Sequence, residues 1–232
     1  MPRLSRIVLP GHPHHVTQRA RAGRRIFTCE ADYRLYLRIL AAEARRFGLR
    51  VLAYCLLPDR VHLVAVPRDE AALANAVGRT HALYAREVNR DTRRLRSWEP
   101  RFQSCALGGD LLTDAICHVE RQAVRARVVR CPWRYPWSSA AAHVGLGDPA
   151  ELLDLKPLKW WIGKRWKEYL GDGIEPETEL HLHRHTRRGW PLASEDELRD
   201  WERRPHRRLR PLPVGRPRKP PPRRRDRRIP FW

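Results

Sequence analysis

The stretch "RVLAYCLLPDRVHLVAV", residues 50–66, constrains the fold more than any other. Residues 50–57 are apolar and partly aromatic, and residues 60–66 alternate. The Pro-Asp step between them is a turn, so the second run pairs back on the first as a hairpin. Successive strand residues point to opposite faces, so Arg60 and His62 project from the same one. A permanently charged side chain and an imidazole two residues apart on one face of a central hairpin are a chemical feature as much as a structural one.

The segments around the hairpin supply the rest of a domain. "HHVTQRA" (14–20) alternates and reads as a strand. From Glu30 to Phe47, Tyr33, Tyr36, Leu37, Leu40 and Ala44 recur at helical spacing, and Gly48 stands where a helix would end. Residues 70–89 are helical, with Leu73, Val77, Leu83, Tyr84 and Val88 on roughly one side. "RFQSCAL" (101–107) is a fourth strand, and Asp110 to Val129 is a second long helical region. The order β-α-β-β-α-β-α predicts an α+β fold: a ferredoxin-like split βαβ antiparallel sheet with helices on one face. Further helices are expected at 137–144, around 158–169 and at 194–203, where Ser194 and Glu197 form a capping box. The "HLHRH" run at 181–185 is expected in a solvated loop.

Charge narrows the partners. The 232-residue chain carries a formal net charge of +21 and a pI of about 11.1. That balance points to a polyanion, with nucleic acid first and an anionic membrane surface second. No run of about eighteen apolar residues exists to span a bilayer, and the N-terminus lacks the apolar core of a signal peptide. A cytoplasmic, nucleoid-associated location is the expectation. The five cysteines (Cys29, Cys55, Cys105, Cys117, Cys131) are odd in number and form no CxxC pair, so they read as reduced thiols. Residues 203–228 hold 13 Lys/Arg against one acid, with seven prolines. Such a segment cannot build helix or sheet, and residues 203–232 are expected to be a disordered basic tail.

Several segments, in order, resemble one family. "LPGHPHHVTQRA" (9–20), "YCLLPDRVHLVAVP" (54–67), "RFQSCAL" (101–107), "HVERQAVRARVV" (118–129), "YPWSSAAAH" (135–143), and "RRGWPLASEDEL" (187–198) with "GRPRK" (215–219) are similar to landmarks of the HUH single-tyrosine transposases, in the REP-associated tyrosine transposase branch. The resemblance divides the chain into an HUH domain (1–130), a helical C-terminal extension (131–202) and the basic tail. It also implies a mechanism. Two histidines at i and i+2 on a strand, with a third ligand from the second long helix, hold Mg²⁺ or Mn²⁺. A tyrosine one helical turn before that third ligand attacks a phosphate of single-stranded DNA and forms a 5′-phosphotyrosine.

Position by position, this chain departs from that pattern. His62 matches the second HUH histidine, but the first position is Arg60. A guanidinium has no lone pair for a metal, and its charge repels one. The tyrosine position is His118, and the third-ligand position is Gln122. A metal ligand and the nucleophile are thus both replaced, which counts against an ion here. Three readings stay open for these groups: Arg60 clamps a phosphate with fixed charge, His62, His118 and Gln122 rebuild a metal site, or His62 is only a hydrogen-bonded core histidine. Tyr54 and Tyr84 lie on apolar faces and read as packing residues.

Other surfaces suit DNA. Arg19, Arg21, Arg24 and Arg25 follow the first strand and are candidates to line a groove for a single strand. Arg79, Arg86, Arg90, Arg93, Arg94 and Arg96 are either a second basic face or a solvated one. Trp133, Trp137, Trp160, Trp161 and Trp166 read mainly as packing. "PVGRPRKPPP" (213–222) is similar to an AT-hook, with Arg216, Arg218 and Lys219 reaching an A·T minor groove, and its competing reading is nonspecific phosphate binding. The leading functional expectation is a DNA-binding protein of transposase descent, monomer or homodimer, that recognises hairpin or single-stranded DNA and is impaired in cleavage. The alternatives are a working metal-dependent transposase with an unrecognised nucleophile, and a nonspecific RNA- or membrane-surface-binding basic protein.

Overall fold

The computed structural model describes residues 6–21, 24–90, 97–147, 152–158, 163–203 and 209–210. Four strands form one antiparallel sheet: β1 (His14–Arg19), β2 (Leu49–Leu57), β3 (Arg60–Pro67) and β4 (Gln103–Ala106), in the spatial order β2-β3-β1-β4. The hairpin forms as expected. Leu57 pairs with Arg60 across the Pro58-Asp59 turn. Both turn carbonyls are used: Ala20 N–H donates to Asp59 O and Ile26 N–H to Pro58 O. A bulge interrupts β2, because Val51 pairs with Ala65 but Ala53 with Val64. The extra residue breaks the alternation, so Leu52 and Ala53 both join the same face.

The sheet is covered on both faces, a correction to the expectation of helices on one. On the first face lie α1 (Glu30–Phe47) and α2 (Ala72–Val88). They bury Tyr36, Leu40, Leu73 and Tyr84 against Val16, Leu56, Val61 and Leu63. The α1 start is held by the Asp32 carboxylate, which accepts from Thr28 N–H, the Thr28 hydroxyl and Cys29 N–H. Its end is Gly48 at φ 67°, a left-handed cap that favours glycine.

On the second face the expected long helix of 110–129 is broken. A single 3₁₀ turn leads into α3 (Leu112–Glu120), and α4 (Gln122–Arg125) follows after Arg121. At the break the Arg121 guanidinium turns outward and donates to the carbonyls of Leu170 and Gly171. The extension contributes α5 (Ala140–His143), α6 (Lys164–Asp172), α7 (Pro176–Arg188) and α8 (Glu195–Glu202). Trp166, Leu170 and Leu182 share one core with Cys55, Val64, Cys105 and Ile116.

The pin between sheet, α3 and extension is Glu120, which is fully buried. Its carboxylate accepts from Trp166 Nε1 at 2.8 Å, from the Ser139 hydroxyl, and from His143 Nδ1 at 2.5 Å. Ser139 in turn receives Tyr54 N–H, and the Tyr135 hydroxyl donates to Leu56 O. A buried carboxylate persists only when surrounded by donors in this way.

Residues 181–185 lie in α7, not in a loop. Pro176 at the start, Glu177 and Glu179 in the first turn, basic residues in the last turn and Gly189 at φ 74° are the physical reasons. All five cysteines are unpaired thiols, with Cys55, Cys105 and Cys117 buried. No described helix is long and apolar enough to cross a membrane. Most of the expected tail, including Arg216, Arg218 and Lys219, lies outside the described residues. Within the expected tail, Leu209 is buried beside Ile7, Leu9 and Trp201, and Arg210 pairs with Glu195 and Glu202.

Candidate functional site

β1 and β3 are neighbours, and their register builds the site. Arg19 stands opposite Arg60, Thr17 opposite His62, and His15 opposite Val64. The period of two turns His15, Thr17, Arg19, Arg60 and His62 to the second face of the sheet. Above them α3 and α4 bring His118, Gln122 and Arg125, and α7 brings His183 and Thr186. Together these residues line a cavity of about 330 Å³.

At its floor three imidazoles meet. His15 Nε2 lies 3.5 Å from His62 Nδ1, with the two rings stacked at 5.7 Å between centroids. His118 stands edge-on to His15 at 5.3 Å. One ring nitrogen from each of the three histidines lies within 4.8 Å of the others. Two of the rings are fixed from behind. His15 Nδ1 is 2.7 Å from the Thr186 hydroxyl, and His118 Nδ1 donates to the Glu179 carboxylate at 3.1 Å. Gln122 reaches back one turn, its amide donating to His118 Nε2 at 3.0 Å and to His118 O at 3.1 Å. His62 Nε2 is buried and has no hydrogen-bond partner among the described residues.

Burial holds the imidazoles neutral. It pushes His15 and His62 well below the usual imidazole range, and the neighbouring rings and arginines push the same way. His118 is pushed down by burial and then by Arg125. Neutral rings keep a lone pair each, the state a metal or a hydrogen-bond donor requires.

The rim is cationic. Arg60 is held by Asp59 through a bidentate pair at 3.0 and 2.8 Å. Arg125 pairs with Glu179, the same carboxylate that orients His118. Next to this cavity lies an open one of about 540 Å³, lined by Arg6, Arg101, Phe102, Arg187, Arg188 and Trp190 among others. Gln103, Ser104 and Thr186 line it too, and Gln103 and Thr186 belong to both.

The structure thus brings together Arg60, His62, His118, Gln122 and Arg19, all expected from sequence. It places Arg21, Arg24 and Arg25 outside the cavity lining, on exposed positions after β1. It adds His15, Glu179, His183 and Thr186. Period-two alternation through residues 14–19 was the available signal for His15, since it shares a face with Arg19. Helix-end chemistry was the signal for the other three.

None of the six tyrosines lines either cavity. Tyr36 bonds His81, Tyr84 bonds Ile26 O, Tyr135 bonds Leu56 O and Tyr169 bonds Asp114. Tyr33 stacks on Trp137, and Tyr54 is fully buried in the first core.

No protein-family model and no curated protein matches the sequence. Among solved structures, a REP-associated tyrosine transposase bound to a REP hairpin superposes with a TM-score of 0.52 at 16% identity, over 65% of this chain and 90% of that one. A protein described as a candidate transposase from Deinococcus radiodurans gives a TM-score of 0.36 at 16% identity, over 55% and 92%. A bacterial tRNA(His) guanylyltransferase-like protein in complex with GTP gives 0.35 at 14%, over 50% and 64%. This chain shares its α+β fold, a four-stranded antiparallel sheet with packed helices, with the REP-associated tyrosine transposase structure.

Proposed function

We propose that this protein belongs to the transposase family and binds single-stranded or hairpin DNA through the cavity over β1 and β3, without cutting by the tyrosine route. The observation that carries the reading is the Arg19–Arg60 pair. Like charges directly opposite on adjacent strands repel, an effect that the Asp59 carboxylate offsets in part through its pair with Arg60. A phosphate between them converts that repulsion into two charge-assisted contacts. Arg125 completes a set of three guanidiniums lining the same cavity of about 330 Å³. The adjoining basic cavity, with Phe102 and Trp190 in its wall, offers the next nucleotides charge and stacking surface. The tail, with Arg216, Arg218 and Lys219, adds duplex phosphate or A·T minor-groove contacts in this reading.

Impaired cleavage rests on the nucleophile. His118 stands where the family's tyrosine would be, and no phenol lines the cavity. The family pattern would hold Mg²⁺ or Mn²⁺ with two strand histidines and a helix residue, and here the first of those histidines is Arg60, which has no lone pair to offer a metal. No strand-transfer step is assigned to that ion.

The test is hairpin and single-stranded DNA binding by fluorescence anisotropy across a salt series, with a denaturing gel for covalent adducts in Mg²⁺ or Mn²⁺. Replacing both Arg19 and Arg60 by alanine should lower the slope of log K against log salt by about 0.7, the value for one neutralised phosphate on a single strand. An unchanged slope overturns the phosphate reading. A covalent adduct with the wild-type protein overturns impaired cleavage.

A further inference from the structure

We propose that His15, His62 and His118 form a tris-imidazole site for a borderline divalent transition metal of the zinc class, with its open coordination position facing the arginine rim. This differs from the donor set of the resembled family in two respects. One ligand comes from β1, which that pattern does not use, and one from the position of its nucleophile.

The geometry is near that of a loaded site. Zinc–nitrogen bonds of about 2.0–2.1 Å in a tetrahedron place ligand nitrogens about 3.4 Å apart. His15 Nε2 and His62 Nδ1 are 3.5 Å apart. The third ring nitrogen lies within 4.8 Å of both, a gap closed by small side-chain rotations. His15 and His118 already present Nε2 inward, because each Nδ1 is engaged by an oxygen: the Thr186 hydroxyl for one, the Glu179 carboxylate for the other. A metal-bound histidine commonly has such an oxygen partner behind it, which fixes the tautomer and the ring plane. A cluster built only for packing has no need of this arrangement on two of three rings.

The cluster also has an unmet demand. Three neutral rings carry three lone pairs, and the cluster supplies too few donors for them. Gln122 serves His118 Nε2, while His15 Nε2 and His62 Nδ1 face each other with at most one proton between two ring nitrogens. A cation seated between the rings accepts both of those lone pairs at once. As it binds, the Gln122 amide turns and releases His118 Nε2.

Donor type selects the ion. Imidazole suits Zn²⁺, Co²⁺, Ni²⁺ and Cu²⁺, and Mg²⁺ poorly. Three protein ligands leave a fourth position for water or an anion. Arg19, Arg60 and Arg125 line the same cavity, so that anion is a phosphate oxygen. Binding of the metal itself does not depend on the DNA reading.

The experiment titrates the full chain, freed of metal by a chelator, with Zn²⁺ against a chromophoric competitor, and with Co²⁺ while recording its visible absorption. One equivalent of Zn²⁺ should bind tightly, and Co²⁺ should show the intense bands of a four-coordinate ion. His15→Gln and His118→Gln should each weaken that equivalent at least tenfold. Thr186→Val, which keeps side-chain size but removes the oxygen behind His15, should weaken it about 10- to 100-fold. The pair His181→Gln/His185→Gln, which lies on α7 outside the cavity lining, should leave it unchanged. Circular dichroism checks that each variant is folded, and the wild-type Co²⁺ spectrum stands without any variant. A six-coordinate Co²⁺ spectrum overturns the site. So does tight binding that survives His15→Gln with His118→Gln, or that is lost in the His181/His185 variant, or Mg²⁺ displacing Zn²⁺ at equal concentration.

Discussion

His81→Gln should flatten the acid dependence of stability by about 2 kcal/mol. His81 lies on α2, buried beneath α1, with Nε2 3.0 Å from the Tyr36 hydroxyl and its ring 4.5 Å from that of Trp98. Burial pushes its pKa down from the ordinary 6.5 to about 3. In the unfolded chain the same ring takes a proton near pH 6.5. Below that pH the unfolded state therefore binds one more proton than the folded state. Stability from the neutral ring is complete above 6.5 and falls as the pH drops toward 3, at about 1.4 kcal/mol per pH unit. Between about pH 7.5 and pH 5 the loss is about 2 kcal/mol. Glutamine keeps an acceptor for Tyr36 and cannot titrate. Any pH-independent cost of the substitution cancels when each protein is compared with itself. Urea unfolding of both proteins at the two pH values measures the difference. Other buried imidazoles also titrate, but His15, His62 and His118 lie on the opposite face of the sheet, so the His81 contribution should separate additively. Equal pH dependence in wild type and variant would refute the claim that His81 is held neutral by burial.

The Glu120 pin should be the most sensitive polar position in the core. Glu120→Ala takes the shared acceptor from Trp166 Nε1 and His143 Nδ1 and leaves the Ser139 hydroxyl only the longer contact to Tyr54 O at 3.3 Å. The expected cost is about 3–5 kcal/mol, a fall in Tm of roughly 10 °C for a chain of this size. A calorimetric Tm within a few degrees of wild type would refute it. Ser194→Ala removes the α8 cap, where the Ser194 hydroxyl accepts from Glu197 N–H at 3.3 Å. It should cost about 1 kcal/mol by urea unfolding, and no loss would mean that the packing of Trp201 and Leu209 holds α8 without its cap.

The sheet and α1 were legible because their apolar spacing is strong and local. Sequence placed α1 at Glu30–Phe47, the bounds it has in the structure. α7 was missed because it buries so little: only Leu182 and Thr186 of its thirteen residues are buried. A reading tuned to apolar periodicity sees a polar segment and assigns a loop. Proline at the start, acids in the first turn, bases in the last and a following glycine carried the opposite message. The break between α3 and α4 had no such signal. Neither proline nor glycine lies near Arg121, and the interruption goes with guanidinium contacts to residues about fifty positions away. Tertiary bonds of that kind leave no trace in local pattern.

Arg60 shows how a correct local inference can be applied in the wrong direction. A guanidinium at the first position of an HUH strand does repel a cation from that position. The expectation that a metal is disfavoured here, with His62, His118 and Gln122 as the set left to rebuild a site, drew its strand ligands from β3 alone. The register removes that restriction. Arg60 is one step outward from His62 and faces Arg19, whereas His15 faces Val64, one step inward. Four residues of antiparallel strand separate Arg60 from Val64, about 13 Å along the strand. The fixed charge is therefore at the rim, and the second imidazole of the strand layer reaches His62 from the neighbouring strand on the far side. β3 alone shows a damaged pair, and only the pairing of β1 with β3 turns that pair into a floor of imidazoles beneath a ring of guanidiniums.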